Sequence, residues 1–122
     1  MLGPYQVIVT GGLDFEDYEL LASKLDAYLL TRHNSQGVII VSGGEPGTET
    51  LTEHYAKERN IPLQRPPYEP DFHGDRALFV RTEFMTNVSR ALVAFWDGRS
   101  PDTHYLIQAA RSKGLAVKGV RY

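Results

Sequence analysis

Three short segments of the 122-residue chain join glycines to hydroxyl and carboxylate side chains in a way suited to a phosphorylated ligand. The first is Thr10-Gly11-Gly12-Leu13-Asp14. The second is Ser42-Gly43-Gly44-Glu45-Pro46-Gly47-Thr48, and the third is Asp97-Gly98-Arg99-Ser100-Pro101-Asp102-Thr103. Glycine lets backbone N–H groups close around a phosphate because no Cβ stands in the way. A helix opening directly after such a turn adds unpaired N–H groups and the positive end of its dipole. Pro46 and Pro101 suit first-turn positions, where the missing N–H has no helical partner. Thr48 and Thr103 bring hydroxyls to the same mouth. One glycine turn ends many strands; two that open helices, with a third glycine pair beside them, form a pattern.

Beside these turns stand the groups that would act on a ligand. Arg81 lies one turn from Ala77 and one turn from Met85, at the border of an apolar helical stripe. A guanidinium there can clamp a phosphate or carboxylate, or it can lay its stem over the core as a surface arginine. Asp97 reads as an acceptor for a ribose hydroxyl or as the residue that shapes its own turn. Ser100 before Pro101 is equally an ordinary helix N-cap. Trp96 is placed to stack on a base or to complete the core. Glu45 and Asp102 would repel an anion unless they point away or meet a sugar hydroxyl. The expected catalytic residues are Arg81 and Asp97. The expected ligand-binding set is Thr10, Gly11, Gly12, Gly43, Gly44, Gly47, Thr48, Trp96, Gly98, Ser100 and Thr103.

Other chemistries lack their residues. There is no cysteine, so disulfides, thiolate metal sites and cysteine nucleophiles are excluded. His33, His54, His73 and His104 have no metal-ligand spacing, and no metal or cofactor is expected. No GxSxG elbow, Walker lysine or GxGxxG fingerprint occurs. Thirteen Lys+Arg against fifteen Asp+Glu give a net charge of −2, without the basic face that nucleic-acid binding needs. No nucleic-acid or membrane partner is expected, since no apolar run nears the ~18 residues of a span. Met1-Leu2-Gly3-Pro4 does not open a signal peptide, and a cytoplasmic, bacterial or phage setting is the expectation. A homodimer is compatible with the apolar and aromatic content.

The elements that must carry these turns follow from periodicity. Hydrophobic residues are 42% and charged residues 23% of the chain, values of a folded domain, and one domain over residues 1–122 is expected. Continuous apolar runs at residues 5–10, 38–42, 91–96 and 115–120 read as strands covered on both faces. Residues 62–65, flanked by prolines Pro62, Pro66 and Pro67, suit a weaker edge strand. Tyr18, Leu21, Ala22, Leu25 and Leu29 form one helical stripe. Leu51 and Tyr55 mark a shorter helix after Pro46, and Ala77, Val80, Phe84 and Val88 mark a third. A fourth helix, 101–113, turns Leu106, Ala109 and Ala110 inward and stops at Gly114. Five of the seven tyrosines, Tyr5, Tyr18, Tyr28, Tyr55 and Tyr105, are expected to reach the surface with their hydroxyls. Residues 65–74 are the one long irregular stretch, a natural site-lining loop. The alternation predicts a doubly wound, Rossmann-like α/β domain with a mostly parallel five-stranded sheet flanked by helices. In such sheets ligands bind beyond the carboxyl ends of the strands, where the strand order reverses.

Taken in order, Val9-Thr10-Gly11-Gly12, Ser42-Gly43-Gly44-Glu45-Pro46-Gly47-Thr48, Arg81 with Met85, and Val93-Ala94-Phe95-Trp96-Asp97-Gly98-Arg99-Ser100 with Thr103 resemble the YspA-like branch of the SLOG superfamily. That superfamily groups DprA-like proteins with the Lonely Guy nucleotide phosphoribohydrolases. The resemblance implies a Rossmann-like sheet and a site for a nucleotide or nucleotide-derived ligand at the strand ends. Lonely Guy enzymes cleave the N-glycosidic bond of nucleoside 5′-monophosphates with an arginine of an R-x-x-x-M helix and a glutamate of a GTxxE turn. Arg81 and Met85 match the first motif. Against the second, Asp102 replaces the glycine before Thr103 and Leu106 replaces the glutamate; Leu13 and Thr82 replace the arginine and asparagine usual in the branch. The resemblance therefore implies two functions: ribosyl-bond cleavage with an altered acid, or non-catalytic sensing of a nucleotide or ADP-ribose. The DprA side of the superfamily adds single-stranded DNA binding, against which the net charge argues.

Overall fold

A computed structural model describes residues 3–30, 37–43, 46–66 and 70–122. The elements run β1 (Tyr5–Gly11), α1 (Tyr18–Leu30), β2 (Val38–Ser42), α2 (Pro46–Glu58), β3 (Leu63–Gln64), α3 (Pro70–His73), a 3₁₀ turn (Gly74–Arg76), α4 (Ala77–Val88), β4 (Ala91–Trp96), α5 (Pro101–Ser112) and β5 (Ala116–Arg121). Every strand pair is parallel, in the order β3-β2-β1-β4-β5. The alternation of apolar runs and helical stripes thus gives the expected Rossmann-like α/β sheet, and every strand rather than most of them is parallel.

The sheet is covered on both faces because its central strand is apolar without alternation. Val7 and Val9 face the side covered by α1 and α2, while Ile8 faces the side of α4 and α5. All three are fully buried. The order reverses between β1 and β4: α1 and α2 carry the chain to β2 and β3, and α4 brings it back past β1. The carboxyl ends of β1, β2 and β4 therefore converge at one end of the sheet.

Local sequence sets the helix ends. Asp17 accepts the Leu20 N–H at 3.0 Å through its side chain and starts α1. Gly114, at φ +81°, closes α5 with two bonds: its N–H reaches Arg111 O, and the Leu115 N–H reaches Ala110 O.

Six expectations need correction, the first being that Tyr28 and Tyr55 are buried in the core and do not carry their hydroxyls to the surface. Helix α2 is as long as α1, 13 residues, and buries Thr48, Thr52, Tyr55 and Ala56 while Leu51 is only half-buried. Its threonines pass as core residues because Thr52 returns its hydroxyl to the Thr48 carbonyl at 2.8 Å. Helix α4 buries Ala77, Thr82, Met85 and Thr86, and leaves Val80, Phe84 and Val88 half-buried. The rotation seats Met85 against Gly43, which has no side chain to fill that space. In α5, Ile107 takes the buried place expected of Ala109. Strand β5 exposes most of its residues, because it ends the sheet and has a helix on one face at most. Residues 65–74 contain the helical turn α3, opened by Pro70 at its first position, as fixed φ favours.

Candidate functional site

Beyond the carboxyl ends of β1 and β2 lies a cavity of about 390 Å³, within the range of small-molecule sites. Thr10 and Gly11 from β1 and Ser42 and Gly43 at the end of β2 form its floor. Leu78, Met85 and Leu106 give it an apolar wall, and Pro46 and Asp102 bring the first turns of α2 and α5 to its edge. Arg81 and Thr82 enter from α4, Glu49 from α2, and Arg65 from the segment after β3. Two guanidinium groups and two carboxylates therefore share one small space.

Two hydroxyls in this lining are buried without a partner. Ser42 is 1% exposed and Thr82 is 1% exposed, and neither hydroxyl oxygen has a hydrogen bond among the described residues. A buried hydroxyl left unmet costs free energy, so any group that supplied the missing bonds here would be favoured. Thr10 differs, for its hydroxyl donates to the Gly43 carbonyl at 3.2 Å and ties β1 to β2.

Charge in the cavity is arranged around α2. Glu49 and Glu53 lie one turn apart on that helix, and Arg65 pairs with Glu53. The bond to Glu53 and the charges of Glu53 and Glu49 raise the Arg65 pKa above the ordinary guanidinium value. Arg81 is half-buried.

Of the residues expected from sequence, Thr10, Gly11, Gly43, Arg81 and Thr103 line the cavity together. Gly44 lies outside the described residues, as do Glu45, His33 and Pro67. Gly47 is pressed against the Leu13 carbonyl, and Thr48 is fully buried with its hydroxyl on the Gly12 carbonyl at 2.8 Å.

The remaining expected residues gather elsewhere at the same end of the sheet, around the turn after β4. Asp97 accepts the N–H groups of Arg99 and Ser100, each at 2.8 Å, and the Ser100 hydroxyl at 3.2 Å. The N–H of Ser100, then that of Arg99, hold its carboxyl below the usual range. Ser100 precedes Pro101 as the N-cap of α5 but makes no side-chain capping bond, since its hydroxyl is spent on Asp97. Trp96 donates Nε1–H to the Ser100 carbonyl at 3.1 Å and stacks on His104 with ring centroids 5.3 Å apart. Gly98, at φ +86°, lies under the Arg121 guanidinium. Gly12 abuts the Tyr122 hydroxyl, which donates to Asp14 at 2.7 Å. None of these side chains lines the cavity.

Sequence reading passed over Glu49, the one carboxylate of α2 in the lining. Its signal was its place, one residue after Thr48 in the first turn of a helix that opens from a glycine turn. Ser42 and Thr82 stand in or beside the quoted motifs, but nothing in the sequence marks their hydroxyls as unmet, since that is a property of packing.

The fold is that of a Rossmann-like protein with a cavity at the strand ends. The sequence model described as YAcAr: YspA, cpYpsA-related SLOG family matches residues 5–74, and the chain belongs to that family. The match covers β1 through α3 and so includes the first two glycine turns and Glu49. No curated protein and no solved structure matches the chain. Membership of this family suggests a nucleotide-related ligand. Among the described residues, no helix is long and apolar enough to cross a membrane, and no group of three or more potential ligands could hold a metal ion.

Proposed function

We propose that residues 1–122 act as one nucleotide-binding domain, whose ligand sits in the cavity beyond β1 and β2. The observation that carries this reading is the unmet pair of hydroxyls, Ser42 and Thr82, in the same lining as Arg81. Arg81 takes the phosphate, because a guanidinium offers two parallel N–H donors to its oxygens. Ser42 and Thr82 supply further hydrogen bonds, and Glu49 or Asp102 accepts from the ribose hydroxyls. In this reading Asp97 is a positioning residue that holds the turn before α5, and Trp96, Gly98 and Ser100 belong to that turn. Gly12, Gly47 and Thr48 shape the floor from behind.

A second reading adds hydrolysis of the N-glycosidic bond. It is favoured by the carboxylates of Glu49 and Asp102, which share the cavity with Arg81 although the GTxxE turn is absent. The base leaves C1′ with the bonding electrons and takes up a proton, while water adds its hydroxyl to C1′. Nucleoside 5′-monophosphate and water thus give free base and ribose 5-phosphate. A carboxylate beside the ribose stabilises the positive charge that develops on the sugar as that bond breaks.

The test is incubation with a panel of nucleoside 5′-monophosphates and ADP-ribose, with binding read by calorimetry and free base by chromatography. Binding that is lost in Arg81→Ala supports the first reading. Free base, absent in Arg81→Ala and in Glu49→Gln but still released by Asp97→Asn, supports the second. An intact panel with retained binding leaves a sensing domain. No binding by the unsubstituted protein to any member overturns the proposal.

A further inference from the structure

The rim of the cavity carries a cation that the reading above does not use. Arg65 follows the two-residue strand β3 directly and lines the same space as Arg81. Its guanidinium is paired with Glu53 on α2, one turn from Glu49. The two side chains of the pair are 55% and 40% exposed. Water screens such a pair, so its grip is weak and easily exchanged.

Charge in the lining gives the exchange a direction. Arg81 shares the cavity with two carboxylates, Glu49 and Asp102, and by itself does not give an anion a net positive surrounding. Arg65 restores the balance only if it leaves Glu53. A phosphate oxygen pair accepts two parallel guanidinium bonds and carries more charge than one carboxylate, so it competes well for that arginine.

We infer that Arg65 is a second phosphate-binding arginine of this cavity, held by Glu53 when the site is empty and transferred to the phosphate when a nucleotide enters. The inference rests on the cavity being the nucleotide site. Glu53 then acts as a competitor that lowers affinity for anions and selects ligands able to displace it.

Calorimetry with adenosine 5′-monophosphate, or with ADP-ribose where the monophosphate does not bind, tests the exchange; uncharged adenosine is the control. Arg65→Ala should weaken nucleotide binding about tenfold or more, the worth of a charged hydrogen bond. Glu53→Gln should tighten it about two- to fivefold, as the competing pair is removed. The double variant should match Arg65→Ala, because Glu53 acts only through Arg65. Adenosine binding should be the same in all of them. Nucleotide affinity unchanged in Arg65→Ala and Glu53→Gln, but lost in Arg81→Ala, overturns the inference and leaves the cavity reading standing. Weaker binding in Glu53→Gln overturns it as well, since the pair would then be a structural support. Failure of the unsubstituted protein to bind either nucleotide overturns both.

Discussion

The Thr48 hydroxyl donates to the Gly12 carbonyl at 2.8 Å, joining the turn after β1 to the first turn of α2 from beneath the cavity. Both glycine turns are thereby fixed to each other by a side chain that solvent does not reach. Thr48→Val keeps the shape and removes the donor, leaving the Gly12 carbonyl only the long 3.5 Å bond from the Phe15 N–H. Stability should fall by about 0.5–1.5 kcal/mol in urea denaturation. Thr48→Ser, which retains the hydroxyl, should lose less.

Two glycines at the same end of the sheet differ in what a methyl group would meet. On Gly47 it would strike the Leu13 carbonyl, which is backbone; on Gly43 it would strike the Met85 thioether, which can rotate away. Gly47→Ala should cost about 1–3 kcal/mol through forced backbone movement. Gly43→Ala should cost less, because methionine adapts to irregular space. Equal losses in the two variants would mean that Met85 cannot yield.

Thr82→Val and Ser42→Ala each remove a buried hydroxyl that has no partner among the described residues. In the ligand-free protein the loss should be neutral or stabilising for Thr82→Val, by up to about 1–3 kcal/mol, since an unmet polar group is replaced by an apolar one of the same shape. Nucleotide affinity should fall in both variants. The combination of a raised melting temperature and weaker binding separates a ligand-facing hydroxyl from one that merely packs.

A cluster at the opposite end of the sheet contributes to the pH dependence of stability. Arg59 bonds Asp26 at 2.7 and 2.9 Å, and Tyr55 donates to the same carboxylate at 2.7 Å. The Arg59 bond, with help from Tyr55, holds the Asp26 carboxyl below its ordinary 3.8. Its contribution is present above that value and is lost as pH falls through the lower folded one. Because the Asp26 side chain is half exposed, the effect should stay below about 1 kcal/mol. Burial, and then the bond to Asp26, raise the Tyr55 hydroxyl above its ordinary 10.0. That contribution is present below pH 10.0 and is lost as pH climbs toward the raised value. Urea midpoints measured from about pH 3 to about pH 11 should fall at both ends. Asp26→Asn should flatten the acid side, and Tyr55→Phe the alkaline side.

How much of this was legible beforehand differs by element. The strands read at residues 5–10, 38–42 and 91–96 were plain, because an unbroken short apolar run bounded by turn residues has few other uses in a folded domain. The α1 stripe read equally well, with Leu21, Leu25 and Leu29 all buried as their spacing requires. The inner faces of α2 and α4 did not. They are built partly of threonines, of which Thr52 and Thr86 return their hydroxyls to a carbonyl four residues back, and hydropathy does not register that bond.

For the proposed site, the sequence pointed to the end of the sheet where the cavity lies and to Arg81 in its lining, because glycine turns that open helices lie at the carboxyl ends of strands. It also determined the family, through the order of those turns. Only the tertiary structure decided which turn residues share a cavity and which do not. Thr103 lies in that lining while Asp97, six residues earlier, bends its carboxylate back to the N–H groups of Arg99 and Ser100. Glu49 and Arg65, distant in sequence, meet in the same space because parallel pairing brings β3 beside β2, the strand that feeds α2. Spacing along a chain fixes the direction of neighbouring side chains; which of them face one another across a cavity is set by register and by the room that glycines leave.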